Sequence, residues 1–147
     1  MKNGEDFAKM FMAPDEAHQA AENLWWGSDP KEIWGYKYVF NLKGKSTYYI
    51  EIGQEVVIRP FNDGAIPDEE MLHDLAQRVL KASRKGKTLV HCQAGINRSS
   101  LIVALALIHD GMAPKDAIAH LKEKRGTMVL SNPHFVEWLL ELPLDEK

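Results

Sequence analysis

The sequence is poor in cysteine, since Cys92 is the only one among 147 residues. A single thiol forms no intramolecular disulfide, which is typical of proteins in a reducing compartment, and we expect a cytoplasmic protein. One thiol also builds no thiolate metal site, and the six histidines lack paired ligand spacings. We therefore predict that the chain uses neither a metal ion nor a cofactor.

Long apolar runs and an excess of one charge are missing as well. The first residues mix charged and apolar side chains, which argues against a signal peptide or a membrane-spanning helix. A formal charge of −3 provides no broad basic field, which argues against indiscriminate binding to nucleic acid. The chain also lacks repeats, low-complexity tracts and linkers, so we expect one domain over residues 1–147.

Strands are predicted in the first half of the chain. Pro14 followed by two acids indicates the start of a helix that reaches about Asn23, so residues 1–23 are expected to form an N-terminal extension or helix. β-branched and aromatic residues predict strands within 23–30, 36–45 and 55–61, with a further strand or hairpin arm at 46–53. Trp25 and Trp26, as neighbours in one strand, should face opposite sides.

Helices dominate beyond Phe61. Met71, Leu72, Leu75 and Val79 have the spacing of one helical face, and residues 87–92 form a buried strand that leads into an apolar helix at 99–111. Pro114 begins another helix, and Asn132 caps a last one. The pattern predicts an α/β fold with a central, mostly parallel sheet flanked by helices and a ligand at the carboxyl end of a strand.

The segment HCQAGINRS, residues 91–99, occupies that place between the buried strand and the buried helix. Unpaired N–H groups and the helix dipole favour an anion there, so the thiolate of Cys92 is favoured over the thiol. Gly95 allows a positive φ, by which successive N–H groups converge on one point. The planar guanidinium of Arg98 can bind two phosphate oxygens. The phosphate-binding residues predicted in this loop are Gln93, Ala94, Gly95, Ile96, Asn97 and Arg98.

Each of these residues also has a purely structural interpretation. Cys92 would be a packed core thiol, and His91 a satisfied core histidine rather than a group that orients the loop and favours the thiolate. Ser99 would only cap the helix instead of stabilising a departing thiolate. The basic residues near the loop, Lys122 and Arg125 among them, are expected to form a solvated charged face.

The loop resembles a known signature. HCQAGINRS is similar to the H-C-x-x-G-x-x-R-S motif of cysteine-dependent protein tyrosine phosphatases, in the compact dual-specificity branch. The resemblance extends from about Arg59 to Leu142, whereas residues 24–58 match only in outline and the first 20 hardly at all. It implies a phosphotyrosine protein phosphatase-like sandwich. It also implies in-line attack by the Cys92 thiolate on a phosphate monoester, which gives a phosphocysteine that water hydrolyses.

Such a reaction needs an acid to protonate the leaving oxygen. Asp63 lies in FNDGAIP, which by itself is equally well explained as a turn. The family's acid-bearing segment occupies this place in the chain order, and this resemblance favours Asp63 as the acid. The acids that follow Pro67 are better explained as complements to a helix dipole.

The neutral side chains of the loop favour a singly phosphorylated ester as substrate. We expect a shallow site that admits phosphotyrosine and also phosphoserine or phosphothreonine on a protein. Three alternatives stay open: a catalytically silent phosphate-binding module, a sulfur-transfer domain of the rhodanese kind, and an RNA 5′-phosphatase. Asp63 counts against the second, because a persulfide carrier needs no leaving-group acid. The acidic balance counts mildly against the third.

Overall fold

The structure is a computed structural model and describes residues 17–143. Within these residues it contains the strands β1 Ala17–Ala21, β2 Leu24–Gly27, β3 Tyr38–Asn41, β4 Glu55–Ile58 and β5 Thr88–His91. The helices are α1 Glu69–Ser83, α2 Arg98–His109, α3 Pro114–Arg125 and α4 Pro133–Leu140. The strand order in the sheet is β1-β2-β5-β3-β4. β2, β5, β3 and β4 run parallel and β1 antiparallel to β2, which confirms the predicted α/β fold with a mostly parallel sheet.

The two faces of the sheet are covered differently. Trp26, Val90 and Phe40 pack into the large core formed with the helices, whereas their chain neighbours Trp25, Leu89 and Val39 belong to a small cluster on the opposite face. This alternation is the period of two expected of strands. Helix α2 is apolar on all sides and almost wholly buried, as its sequence predicts, and it packs centrally in the helix layer.

The helix predicted from Pro14 to Asn23 is wrong for the described residues. Ala17–Ala21 is a strand that pairs with β2, and Asn23 adopts a positive φ of 63° in the connecting turn. Tertiary pairing overrides the local helix propensity of alanine, and asparagine tolerates the left-handed conformation that tight turns require. Residues 14–16, where the helix was predicted to begin, lie outside the described residues.

The strand predicted at 46–53 is also absent, because this segment lies outside the sheet ladder. β3 and β4 are parallel neighbours, so the chain between them must return along the whole length of the strands. The segment makes that return. Tyr48 packs against the small cluster around Val39 and Leu89, whereas Tyr49, Ile50 and Ile52, which also suggested a strand, are exposed.

The fold places the carboxyl end of β5 and the N-terminus of α2 close together, at the carboxyl edge of the sheet. β5 ends at His91, and α2 begins at Arg98. The buried indole of Trp26 donates a hydrogen bond of 2.8 Å to the Ser100 hydroxyl, which donates to the carbonyl of Gly95 at 3.3 Å. The strand β2 therefore supports both α2 and the loop before it.

Candidate active site

In the loop between β5 and α2, the backbone carbonyl groups point outward and accept hydrogen bonds from other parts of the protein. Four successive carbonyls, those of residues 93–96, accept hydrogen bonds from Asp29 N at 3.1 Å, Arg125 Nη2 at 3.0 Å, Ser100 Oγ at 3.3 Å and Leu130 N at 2.8 Å. In a trans peptide the C=O of one residue and the N–H of the next point in opposite directions. The N–H groups of residues 94–97 are therefore directed to the other, inner side of the loop, where they form an anion-binding nest.

The sulfur of Cys92 lies at this inner side. It accepts hydrogen bonds from the N–H groups of Gly95 at 3.2 Å and Ser99 at 3.4 Å, and the Ser99 hydroxyl is bonded to it at 3.3 Å. The residue is 2% exposed, so these bonds are shielded from water. A packed core thiol requires no such donors, whereas donors that converge on sulfur stabilise a thiolate.

Gly95 is required in this loop for two reasons. Its φ of 72° is in the left-handed region, and a Cβ atom added to it would lie 2.5 Å from Gly27 C and 2.7 Å from Ser28 N. Both contacts are with backbone, which cannot turn aside as a flexible side chain would. A larger residue would therefore push the loop away from β2.

The segment that carries Asp63 is tied to the loop. Arg98 Nη1 donates to the carbonyl of Phe61 at 3.0 Å, which uses one of the five N–H donors of the guanidinium. Asp63 accepts at Oδ2 from Asn97 Nδ2 at 3.0 Å and at Oδ1 from Asn132 Nδ2 at 2.7 Å. The structure thus brings Asp63 and Asn97 into direct contact, 34 positions apart in the chain.

A network of polar side chains surrounds His91, the residue that precedes Cys92. The buried ring of His91 is bonded through Nε2 to the Tyr48 hydroxyl at 2.8 Å, and its Nδ1 is 3.6 Å from Asp29 Oδ1. Asp29 is paired with Lys43 at 2.7 Å and accepts from Ser46 Oγ at 2.8 Å. Burial lowers the pKa of His91 to about 4, although the nearby Asp29 carboxylate opposes the shift. The imidazole is therefore neutral at neutral pH and contributes no positive charge near Cys92.

Comparisons with known proteins agree with this geometry. The family model described as the dual specificity phosphatase catalytic domain matches residues 27–143. The chain belongs to this family. Among curated relatives, human protein tyrosine phosphatase type IVA 3 is 40% identical over 76 residues, which is 50% of this chain and 44% of the relative. The chain thus spans less than half the length of that relative.

Solved structures share the fold of this dual specificity phosphatase domain. Human DUSP28 superposes with a TM-score of 0.71 at 20% identity, over 84% of this chain and 92% of that chain. A human tyrosine phosphatase-like serine/threonine/tyrosine-interacting protein superposes with a TM-score of 0.68 at 21% identity, over 86% and 95% of the two chains. At these identities the likeness establishes the phosphatase sandwich and nothing further about activity.

Several contacts of side chains in and around the phosphatase loop were not predicted. Arg125, expected on a solvated face, donates to the loop carbonyl of Ala94, and Lys122 donates to the carbonyls of Thr127 and Val129. Tyr48 was expected only as a strand residue, and Asn132 only as a helix cap. No local pattern in the sequence indicates the contact of Arg125 with Ala94, because the two residues are distant in the chain, whereas Lys122 bonds to residues only five and seven positions later.

Residues 17–143 offer neither a cluster of metal ligands nor a membrane-spanning helix. This part of the chain contains no group of three or more histidine, cysteine, aspartate or glutamate side chains placed to hold a metal ion. Its helices are all too short or too polar to cross a bilayer.

We predict that Gly95→Ala destabilises the domain and disables the loop. Strain at positive φ together with the backbone clash should lower the free energy of unfolding by about 3 kcal/mol. Urea unfolding measures this loss. Gly64→Ala is the control for stability, because an added Cβ there meets no heavy atom within 4 Å. A Gly95→Ala variant as stable as the wild type would contradict the close approach to β2.

The low pKa of His91 predicts acid sensitivity. An unfolded histidine takes up its proton near pH 6.5 and the folded one only near pH 4, so between these values the unfolded state binds more protons. The free energy of unfolding should therefore fall by about 3 kcal/mol as the pH drops from 6.5 to 4, and this group adds no further slope below that. His91→Gln keeps a polar group for Tyr48 but does not titrate, so its stability should fall less over this interval. The free energy of unfolding of both proteins is measured by urea titration at several pH values. If it falls equally with pH in the wild type and in His91→Gln, the low pKa of His91 is refuted.

Proposed function

We propose that this chain is a cysteine-dependent phosphatase that hydrolyses phosphate monoesters on proteins through a phosphocysteine intermediate. The observation that carries the proposal is the sulfur of Cys92, which is bonded by Gly95 N, Ser99 N and Ser99 Oγ inside a loop whose carbonyls face outward. This arrangement stabilises a thiolate and offers N–H donors to the oxygens of a phosphoryl group. Membership of the dual specificity phosphatase family supports it.

The first step forms the covalent intermediate. The thiolate of Cys92 attacks phosphorus, the S–P bond forms, and the ester P–O bond breaks on the opposite side. Asp63 transfers its proton to the leaving oxygen, which would otherwise depart as an alkoxide or phenoxide. Arg98 and the loop N–H groups of residues 94–97 bind the phosphoryl oxygens, where negative charge is held during transfer.

The second step releases inorganic phosphate. Water attacks phosphorus, Asp63, now ionised, takes a proton from it, and the S–P bond breaks with its electron pair returning to sulfur. The Ser99 hydroxyl, bonded to Sγ at 3.3 Å, stabilises the departing thiolate. His91 orients the loop from behind as a neutral ring held by Tyr48.

A singly phosphorylated protein side chain suits the site best. The loop side chains of Gln93, Ala94, Ile96 and Asn97 are uncharged, so they offer no cations for additional phosphates. We infer a site that accepts phosphotyrosine and also phosphoserine or phosphothreonine. The free thiol of Cys92 is best preserved in a reducing compartment, which supports the cytoplasm as the place of action.

We predict that hydrolysis of a small aryl phosphate depends on both Cys92 and Asp63. Cys92→Ser should show no turnover while still binding a phosphopeptide, because the loop that holds the phosphate is kept. Asp63→Asn should lose about 100-fold or more in rate and should lose the decline of the rate at high pH, because no acid remains to be deprotonated.

The measurement is steady-state hydrolysis by the wild type and both variants across pH, with calorimetry for peptide binding. Unchanged turnover in Cys92→Ser would rule out the phosphocysteine mechanism. A wild type that binds the phosphopeptide without hydrolysing it would instead identify a silent binding module.

A further inference from the structure

The carboxylate of Asp63 is held at both of its oxygens by amide side chains. Asn132 Nδ2 donates to Oδ1 at 2.7 Å, and Asn97 Nδ2 donates to Oδ2 at 3.0 Å. Asp63 itself is exposed on a loop, where a side chain without partners would sample several rotamers. The two amides therefore select one orientation of the carboxylate.

Asn132 is the rigid member of this pair. It is only 8% exposed, and its Oδ1 accepts from His134 N at 2.9 Å as the N-cap of α4. Its amide nitrogen donates to the carbonyl of Gly64 at 3.0 Å as well as to Asp63. Both amide hydrogens and the amide oxygen are thus used, so the direction of the bond to Asp63 is fixed by the helix and by the loop together.

Asn97 is the member that can release Asp63. Its bond to the carboxylate is the longer of the two, and a second acceptor, Ser131 Oγ, lies 3.4 Å from the same nitrogen. A protonated carboxyl group carries O–H on one oxygen, and that oxygen is a poorer acceptor for an N–H donor than a carboxylate oxygen is. One of the two amide bonds is therefore weakened whenever Asp63 holds the proton that it donates in catalysis.

We propose that Asn132 is a positioning residue for the general acid, which it fixes through Oδ1, and that Oδ2 is the oxygen that gives up and takes back the proton. This inference rests on the proposed phosphatase activity. When Asp63 is ionised, Asn97 Nδ2 bonds to both Oδ2 and Ser131 Oγ, and when Oδ2 is protonated, the bond to Oδ2 weakens while the bond to Ser131 remains. The position of the carboxylate is kept in both states by the bond from Asn132.

The proposal predicts a loss that depends on the leaving group. Asn132→Ser keeps a good N-cap for α4 but removes the amide nitrogen that holds Asp63. The value of kcat/KM for phenyl phosphate, whose leaving group needs a proton, should fall about tenfold or more. For 2,4-dinitrophenyl phosphate, whose leaving group departs without one, kcat/KM should change less than about threefold. Asn62→Ser, at the exposed neighbour of Asp63, is the matched control.

A double-mutant cycle makes the test sharper. In an Asp63→Asn background, Asn132→Ser should have no further effect on phenyl phosphate, because the acid that it positions is already gone. Equal losses on both esters, or an undiminished loss in the Asp63→Asn background, would overturn the positioning role and leave a structural one. Asn132→Thr, also a capping residue, serves if urea unfolding shows that the serine variant is unstable. A wild type without Cys92-dependent turnover of either ester would overturn the proposed function itself, and this role with it.

Discussion

Each carbonyl of residues 93–96 accepts a hydrogen bond from a different part of the molecule: the loop after β2, the end of α3, the first turn of α2 and the segment before α4. These four bonds fix the peptide planes of the loop, and with them the inward direction of its N–H groups. An isolated six-residue loop would not hold so many N–H dipoles pointing at one site, because they repel one another. The fold supplies the four donors that keep them there, which is the preorganisation that an anion site requires.

Hydrogen bonds also join the three segments of the chain that carry Cys92, Asp63 and Asn132. Cys92 lies on the loop and Arg98 at the first position of α2, Asp63 lies between β4 and α1, and Asn132 caps α4. Arg98 bonds to the carbonyl of Phe61, and Asn97 bonds to Asp63 on one side and accepts from Asn132 N at 2.9 Å on the other. Cys92 and Asp63, which we propose as nucleophile and acid, are thereby held in one rigid arrangement although they are distant in the chain. A shift of any one segment would be transmitted to the other two through these short bonds.

The sequence predicts the parts of this structure that depend on local patterns. The strand before Cys92 and the helix after Arg98 have unmistakable apolar runs, and the loop between them has a recognisable order of residue types. Contacts such as Arg125 with the carbonyl of Ala94 could not be predicted, because a lysine-rich helix end is more often a solvated face. Ala17–Ala21 was mistaken for a helix because its strand structure comes from pairing with β2, which local propensity does not encode.

The side chains of the network around His91 are either neutral or paired with an opposite charge. His91 lies next to Cys92 in the chain, but its low pKa keeps it neutral, and burial raises the pKa of its partner Tyr48, which stays protonated. The carboxylate of Asp29 is offset by Lys43 at 2.7 Å. The network behind the loop therefore brings almost no net charge to the site. At the anion site that we propose, the favourable electrostatics then come from N–H dipoles and from the guanidinium of Arg98, so a chain of net charge −3 needs no broad basic field there.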